Sequence, residues 1–243
     1  MQSWGLTDPG CVRGQNQDAY QIEKLDRGAL LCVICDGMGG AKSGNIASTL
    51  AVDVFVQEVK QSWKSYLTQD KIDQVLRSAV KLANFTVYDQ AQQFEEFDGM
   101  GTTLVAALIR GKRVSIVNVG DSRCYGIDRG GIHQITRDHS LVQMMVDRGD
   151  ISPEKAKSYP GKNFITRAIG TESTVMCDLY HWEVSKGDYL LLCSDGLSNT
   201  MDDQEILFEV VHGVNKQHCC KRLLNIAKNR GAPDNVTSVL VLV

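Results

Sequence analysis

The chain has 243 residues, of which 43% are hydrophobic and 23% charged, so it can bury a sizeable core as an ordinary globular protein. Its formal charge of −3, with no basic tail or stripe, argues against nucleic acid as a partner. No apolar run approaches the ~20 residues needed to span a bilayer, which argues against membrane insertion.

Only four prolines occur, and no Ser/Pro-rich linker or charge block divides the chain, so one domain over 1–243 is expected. An extended N-terminal segment leads to strands predicted at 19–25 and 29–35. Helices are predicted over 45–64 and 70–93. In the first, Ile46, Leu50 and Val54 recur beside Ala47, Ala51 and Phe55 at a spacing of four; the second continues through Ile72, Val75, Ala79 and Leu82. Strand-like runs follow at 103–109, 114–119, 123–128 and 132–135, with hairpin turns at 110–112 and 128–131. Such short connections imply antiparallel neighbours. A mixed polar segment covers 139–163. Strands return at 175–183 and 188–193, helices at 203–211 and 216–229, and a β-branched run closes the chain at 236–243. The grouping points to an α+β fold, layered, with largely antiparallel sheets and paired helices covering sheet faces.

Eight cysteines are present, several inside apolar runs (Cys32, Cys35, Cys124, Cys193), in a sequence with no secretory signal pattern. Reduced thiols and a cytoplasmic location are expected. Cys32 and Cys35 have C-x-x-C spacing, but residues an odd number apart on a strand point to opposite faces. They are read as core, as are Cys219 and Cys220 on a helix.

The chemistry lies in aspartates placed where apolar runs stop or beside turn formers: Asp18, Asp36, Asp121, Asp195 and Asp234. Leu30-Leu31-Cys32-Val33-Ile34-Cys35 runs straight into Asp36-Gly37-Met38-Gly39-Gly40, and Leu190-Leu191-Leu192-Cys193 into Ser194-Asp195-Gly196. A lone Asp-Gly is ordinarily just a turn. A carboxylate capping a buried strand, however, is costly unless something positive pairs with it, and oxygen-only donors suit magnesium, manganese or calcium. The glycines at 37–44 do not make a phosphate loop, because Ala41 precedes Lys42-Ser43; the dinucleotide fingerprint fails because Lys42 holds its third glycine position. No cysteine is followed six residues later by arginine, which excludes the loop of the thiol phosphatases.

Taken in order, Arg13…Asn16-Gln17-Asp18, Asp36-Gly37-Met38-Gly39-Gly40, Gly101-Thr102-Thr103, Gly120-Asp121-Ser122-Arg123, Ser194-Asp195-Gly196 and Asp234-Asn235 resemble the metal-dependent protein phosphatases (PPM, or type 2C) across almost the whole chain. Arg137-Asp138-His139-Ser140-Leu141 and Thr166-Arg167-Ala168-Ile169-Gly170 resemble the compact bacterial branch. The resemblance implies a central antiparallel β-sandwich flanked by helix pairs on both faces, with a flap at 139–168. It implies two Mn²⁺ or Mg²⁺ ions. Asp36 would bridge them, the Gly37 carbonyl would contact one, Asp195 and Asp234 would complete the other's shell, and Asp18 would bind nearby. Asp121 would hold a third, weaker metal, and Arg13 the substrate phosphate. Two such ions about 3.5–4 Å apart share a water and lower its pKa, giving the nucleophile that a stable phosphate monoester demands. Arginine suits the phosphate because its planar fork matches two oxygens.

The implied activity is hydrolysis of phosphoserine and phosphothreonine in proteins, opposing a eukaryotic-like bacterial kinase, by a monomer. The alternative, a catalytically silent binding module on the same fold, would be expected to have lost metal aspartates, and all five are present. A phosphatase tuned to a small regulatory phospho-partner is a third reading. The chain departs from the family pattern at Gln17, Met38, Asn45 and Tyr159-Pro160, which leaves the proton donor to the leaving group undefined. His139 is read as loop packing.

Overall fold

The computed structural model describes residues 1–39 and 43–243; Gly40, Ala41 and Lys42, part of the glycine stretch singled out above, lie outside the described residues. The chain opens with β1 (Gln2–Asp8), β2 (Asp18–Lys24), β3 (Leu30–Met38), α1 (Gly44–Ser62) and α2 (Gln69–Gln93). A short β4 (Gly101–Thr102) precedes β5 (Leu104–Arg110), β6 (Arg113–Val119), β7 (Arg123–Asp128) and β8 (Gly131–Gln134). Then come α3 (Leu141–Arg148), α4 (Pro153–Lys157), β9 (Asp178–Glu183), β10 (Tyr189–Cys193), α5 (Asp195–Ser198), α6 (Asp203–His212), α7 (Cys219–Asn229) and β11 (Val236–Leu242).

Two antiparallel sheets face each other. One has the order β1-β11-β10-β7-β8, the other β2-β3-β5-β6-β9, with β4 paired to β3. The apolar run of β3 is continuous because both of its faces are buried. Leu31, Val33 and Cys35 point to the layer under α1 and α2, whereas Leu30, Cys32 and Ile34 point between the sheets. Cys32 and Cys35 therefore lie on opposite faces, and all eight cysteines are free. β10 repeats the pattern: Leu191 and Cys193 face α6 and α7, while Leu190 and Leu192 face the other sheet. The result is helix pair, sheet, sheet, helix pair. Each fully buried leucine or phenylalanine in these layers contributes roughly 1.5–3 kcal/mol. Small residues Ala47, Ser48 and Ala51 on the buried side of α1 let it approach the sheet closely.

Both predicted hairpins, at 110–112 and 128–131, join antiparallel neighbours, β5 with β6 and β7 with β8. The link 120–122 does something else: β6 lies in one sheet and β7 in the other, so this turn carries the chain across the sandwich. The polar segment 139–163 contains α3 and α4, whose first turns are capped by Ser140 and Ser152. Neither helix buries a residue fully; α4 has no apolar face, whereas α3 sets Leu141 with Met145 and Val142 with Val146 at helical spacing, a period not read in the sequence. Cys219 and Cys220 do begin a helix, α7, and are buried beneath it. Among the described residues no helix is long and apolar enough to cross a membrane.

Candidate active site

The five aspartates arrive from five places. Asp18 opens β2 and pairs in register with Asp36 of β3. Asp195 opens α5 immediately after β10, Asp234 sits in the loop before β11, and Asp121 in the turn between the sheets. The Asp36 carboxyl is held well above the usual carboxylate range by burial, and then by the like charges of Asp18, Asp195, Asp121 and Asp234. Burial likewise raises Asp18, Asp195 and Asp121, with Asp195 repelling both Asp18 and Asp121 and Asp234 repelling Asp195. All five acids thus meet in one electrostatic cluster.

Its supports come from both sheets. Asp18 Oδ2 accepts hydrogen bonds from Thr237 Oγ1 at 2.5 Å and Ser194 Oγ at 2.8 Å. Its other oxygen, and Oδ1 of Asp195, are buried without a hydrogen-bond partner, and the side chain of a third acid, Asp36, adjoins both residues. Asp36 is fixed through its backbone: its N–H donates to Thr103 Oγ1 at 3.0 Å, and Thr102 Oγ1 donates to its carbonyl at 2.8 Å. Thr103 Oγ1 also meets Ser122 Oγ at 2.7 Å, tying β3 to the turn that carries Asp121.

His139 holds that turn from the other side. Its Nδ1 accepts from Gly120 N–H at 3.0 Å, so the ring proton belongs on Nε2, which lies 3.1 Å from Asp178 Oδ2. Burial keeps this imidazole below its ordinary range. The loop-packing reading of His139 agrees with these contacts.

Asp234 is bound by its neighbours rather than by the core. Asn235 N–H donates to its Oδ1 at 2.9 Å, and Arg13 Nη2 lies 2.9 Å from its Oδ2. The buried Asn235 side chain stitches the N-terminal segment in place, donating to the carbonyls of Pro9 and Gln15 and accepting from Gln17 N–H. Gly196 is required where the loops cross, because a Cβ there would sit 1.9 Å from the Asn235 carbonyl oxygen. Asn235 and Thr103 belong to segments that the sequence singles out, Asp234-Asn235 and Gly101-Thr102-Thr103, whereas Thr237 lies in none of them.

Asp195 and Asp234 line a cleft of about 370 Å³, whereas Asp18, Asp36 and Asp121 are not among its lining residues. Three cations, Arg13, Lys162 and Arg230, share that lining. Among the described residues no three carboxylate, imidazole or thiolate groups are already gathered around one ion-sized point. The cluster is a set of like charges, not a closed cage.

The family profile described as Protein phosphatase 2C matches residues 13–224. The serine/threonine phosphatase stp of Listeria welshimeri serovar 6b is 34% identical over 238 residues, covering 97% of this chain and 93% of that one. The crystal structure of serine/threonine phosphatase Stp1 from Staphylococcus aureus is similar at a TM-score of 0.91 and 39% identity, over 99% of this chain and 94% of the other. The catalytic domain of the serine/threonine protein phosphatase PstP, solved in complex with 2 manganese ions, is similar at 0.84 and 35%, over 98% and 96%. A sandwich of the same layers, matched over nearly its full length by bacterial enzymes of one activity, leaves a single assignment: the chain belongs to the protein phosphatase 2C family and is a protein serine/threonine phosphatase.

Proposed function

We propose that Asp18, Asp36, Asp195 and Asp234 hold a pair of divalent cations, Mn²⁺ or Mg²⁺, with a third at Asp121, and that this centre dephosphorylates phosphoserine and phosphothreonine in proteins. The observation that carries the reading is the pair of buried oxygens on Asp18 and Asp195 left without a hydrogen-bond partner, in residues that both adjoin the acid Asp36. A buried carboxylate cluster is costly without counter-charge, and hard cations with oxygen ligands offset that cost. The donor set fits: carboxylate oxygens, with the Gly37 carbonyl beside Asp36. The manganese ions of the PstP catalytic domain support the same choice.

When bound, such a pair supplies an acidified water and charge neutralisation for phosphoryl oxygens. The chain's own residues do the rest. Thr237 and Ser194 fix the orientation of Asp18 by occupying one of its oxygens, leaving the other for a cation. Thr102 and Thr103 fix the backbone from which Asp36 projects. Arg13, more than half exposed at the cleft mouth, offers a planar fork to two phosphate oxygens and gives up Asp234 to do so. Lys162 adds positive charge around an incoming phosphate ester, while Arg230, in the same wall, is already paired with Glu205.

The remaining assignments belong to the same reading. Residues 1–243 form one domain, with a flap at 139–168 whose base is closed by the Ser140–Ile165 bridge. The protein acts as a cytoplasmic monomer on targets of a serine/threonine kinase, the kinase included. The test is turnover of a phosphothreonine peptide with Mn²⁺, with Mg²⁺ and with chelator. Activity only with metal is expected; undiminished turnover in chelator would refute the proposal.

A further inference from the structure

Beside the cleft lies a second recess, of about 470 Å³, between α6 and α7. Its apolar lining is Met201, Phe208 and Ile226, and its polar lining includes Asp202, Glu205 and Arg230. Phe208 is 60% exposed and supplies most of the apolar surface that the recess offers. The recess and the catalytic cleft share one wall. Arg230 lines both, its guanidinium clamped by two bonds to Glu205, at 2.7 and 2.5 Å, and one to the Thr200 carbonyl at 2.7 Å. Thr200 lines the cleft and its neighbour Met201 lines the recess.

We infer that this recess is the docking groove for the substrate chain next to the phosphorylated residue, taking an apolar side chain flanked by lysine or arginine. The occupant follows from continuity and charge. A phosphoprotein whose phosphate enters the cleft must lead its chain out over one of the walls, and the Arg230 wall opens directly onto apolar surface. Burying a leucine or aromatic side chain against exposed Phe208 and half-buried Ile226 is favourable because that surface leaves water. The groove's one cation is already engaged by Glu205, and among the described residues Asp202 makes no ion pair, so a basic residue is favoured at the rim and an acidic one opposed. The groove would thereby select among phosphoproteins without touching the phosphate.

This inference rests on the reading of the Asp195–Asp234 cleft as the catalytic site, and p-nitrophenyl phosphate separates the two. That substrate fills only the cleft, so it reports the catalytic reading alone. The experiment compares kcat/KM for phosphothreonine peptides flanked by leucine and arginine, on either side, with alanine-flanked counterparts, using wild type, Phe208→Ala and Phe208→Leu. Wild type is expected to prefer one leucine–arginine peptide by on the order of tenfold, the scale of one buried side chain. Phe208→Ala should erase that preference while leaving p-nitrophenyl phosphate turnover and Tm unchanged, and Phe208→Leu should restore most of it. The inference is overturned by a wild type that turns over p-nitrophenyl phosphate yet shows no peptide preference, or by a preference that survives Phe208→Ala. It is equally overturned if sedimentation shows a dimer that Phe208→Ala dissociates, since the groove then belongs to a second copy.

Discussion

Thr237, in β11 of one sheet, donates a 2.5 Å hydrogen bond to Asp18, in β2 of the other. The contact spans the sandwich at the level of the acid cluster, and Ser194 adds a second donor to the same oxygen. Asp18 thus keeps its orientation although desolvation and the neighbouring acids oppose its charge. Thr237→Val removes the donor with little change in volume. It is expected to weaken Mn²⁺ binding by roughly 10–100-fold, the usual effect of losing a partner that orients a metal ligand. Titration calorimetry checks it, and unchanged affinity would remove Thr237 from the account.

Asp36 is the acid on which the other four act. Asp36→Asn keeps the shape and removes the charge. Turnover of p-nitrophenyl phosphate in Mn²⁺ should fall by on the order of a hundredfold or more, the scale of losing a key electrostatic group. A folded variant, established by circular dichroism, with near wild-type rates would contradict the role assigned to Asp36.

Arg13 holds Asp234 in the resting arrangement and a phosphate ester in the proposed working one. Arg13→Lys retains the charge and loses the fork. KM for a phosphothreonine peptide is expected to rise on the order of tenfold, the cost of one charge-assisted hydrogen bond, with a smaller change in kcat. Equal KM values would return Arg13 to the status of a surface ion pair.

The acids are raised in the folded chain, Asp121 to about 8 and Asp36 well above its ordinary value, chiefly by burial. A raised carboxyl binds more protons folded than unfolded, so its contribution is complete below the unfolded pKa and is lost as pH climbs through the folded one. In chelator, Tm should therefore fall between about pH 7 and about pH 8.5, a window above the ordinary imidazole range in which His139 contributes nothing. Asp121→Asn should lessen that fall without abolishing it, because Asp36 remains raised. Mn²⁺ should reverse it, because metal binding requires deprotonated ligands. Differential scanning fluorimetry at the two pH values decides; a flat wild-type profile in chelator speaks against the cluster.

Much of this was legible in the chain. The unbroken apolar run into Asp36 implied a strand buried on both faces, and the layers on either side of Leu31 and Cys32 bear that out. The sheet change at Gly120–Ser122 was not legible, because a short connection looks the same whether it closes a hairpin or crosses a sandwich. α4 was hidden because its single turn carries no apolar face, whereas α3 was legible in the spacing of Leu141 with Met145 and Val142 with Val146. The acids announced themselves by position at strand ends. Thr237 did not, and Asn235 was marked only as the neighbour of Asp234, since their partners Asp18, Pro9 and Gln15 lie more than 200 residues away in sequence. A hydroxyl in a β-branched run carries no local sign of the carboxylate it will meet.

The central claim is that these acids share divalent ions, and anomalous diffraction from a crystal grown in manganese tests it most directly. Two peaks are expected beside Asp36, one also against Asp195 and Asp234. Well-ordered acids with no anomalous peak among them would contradict the account.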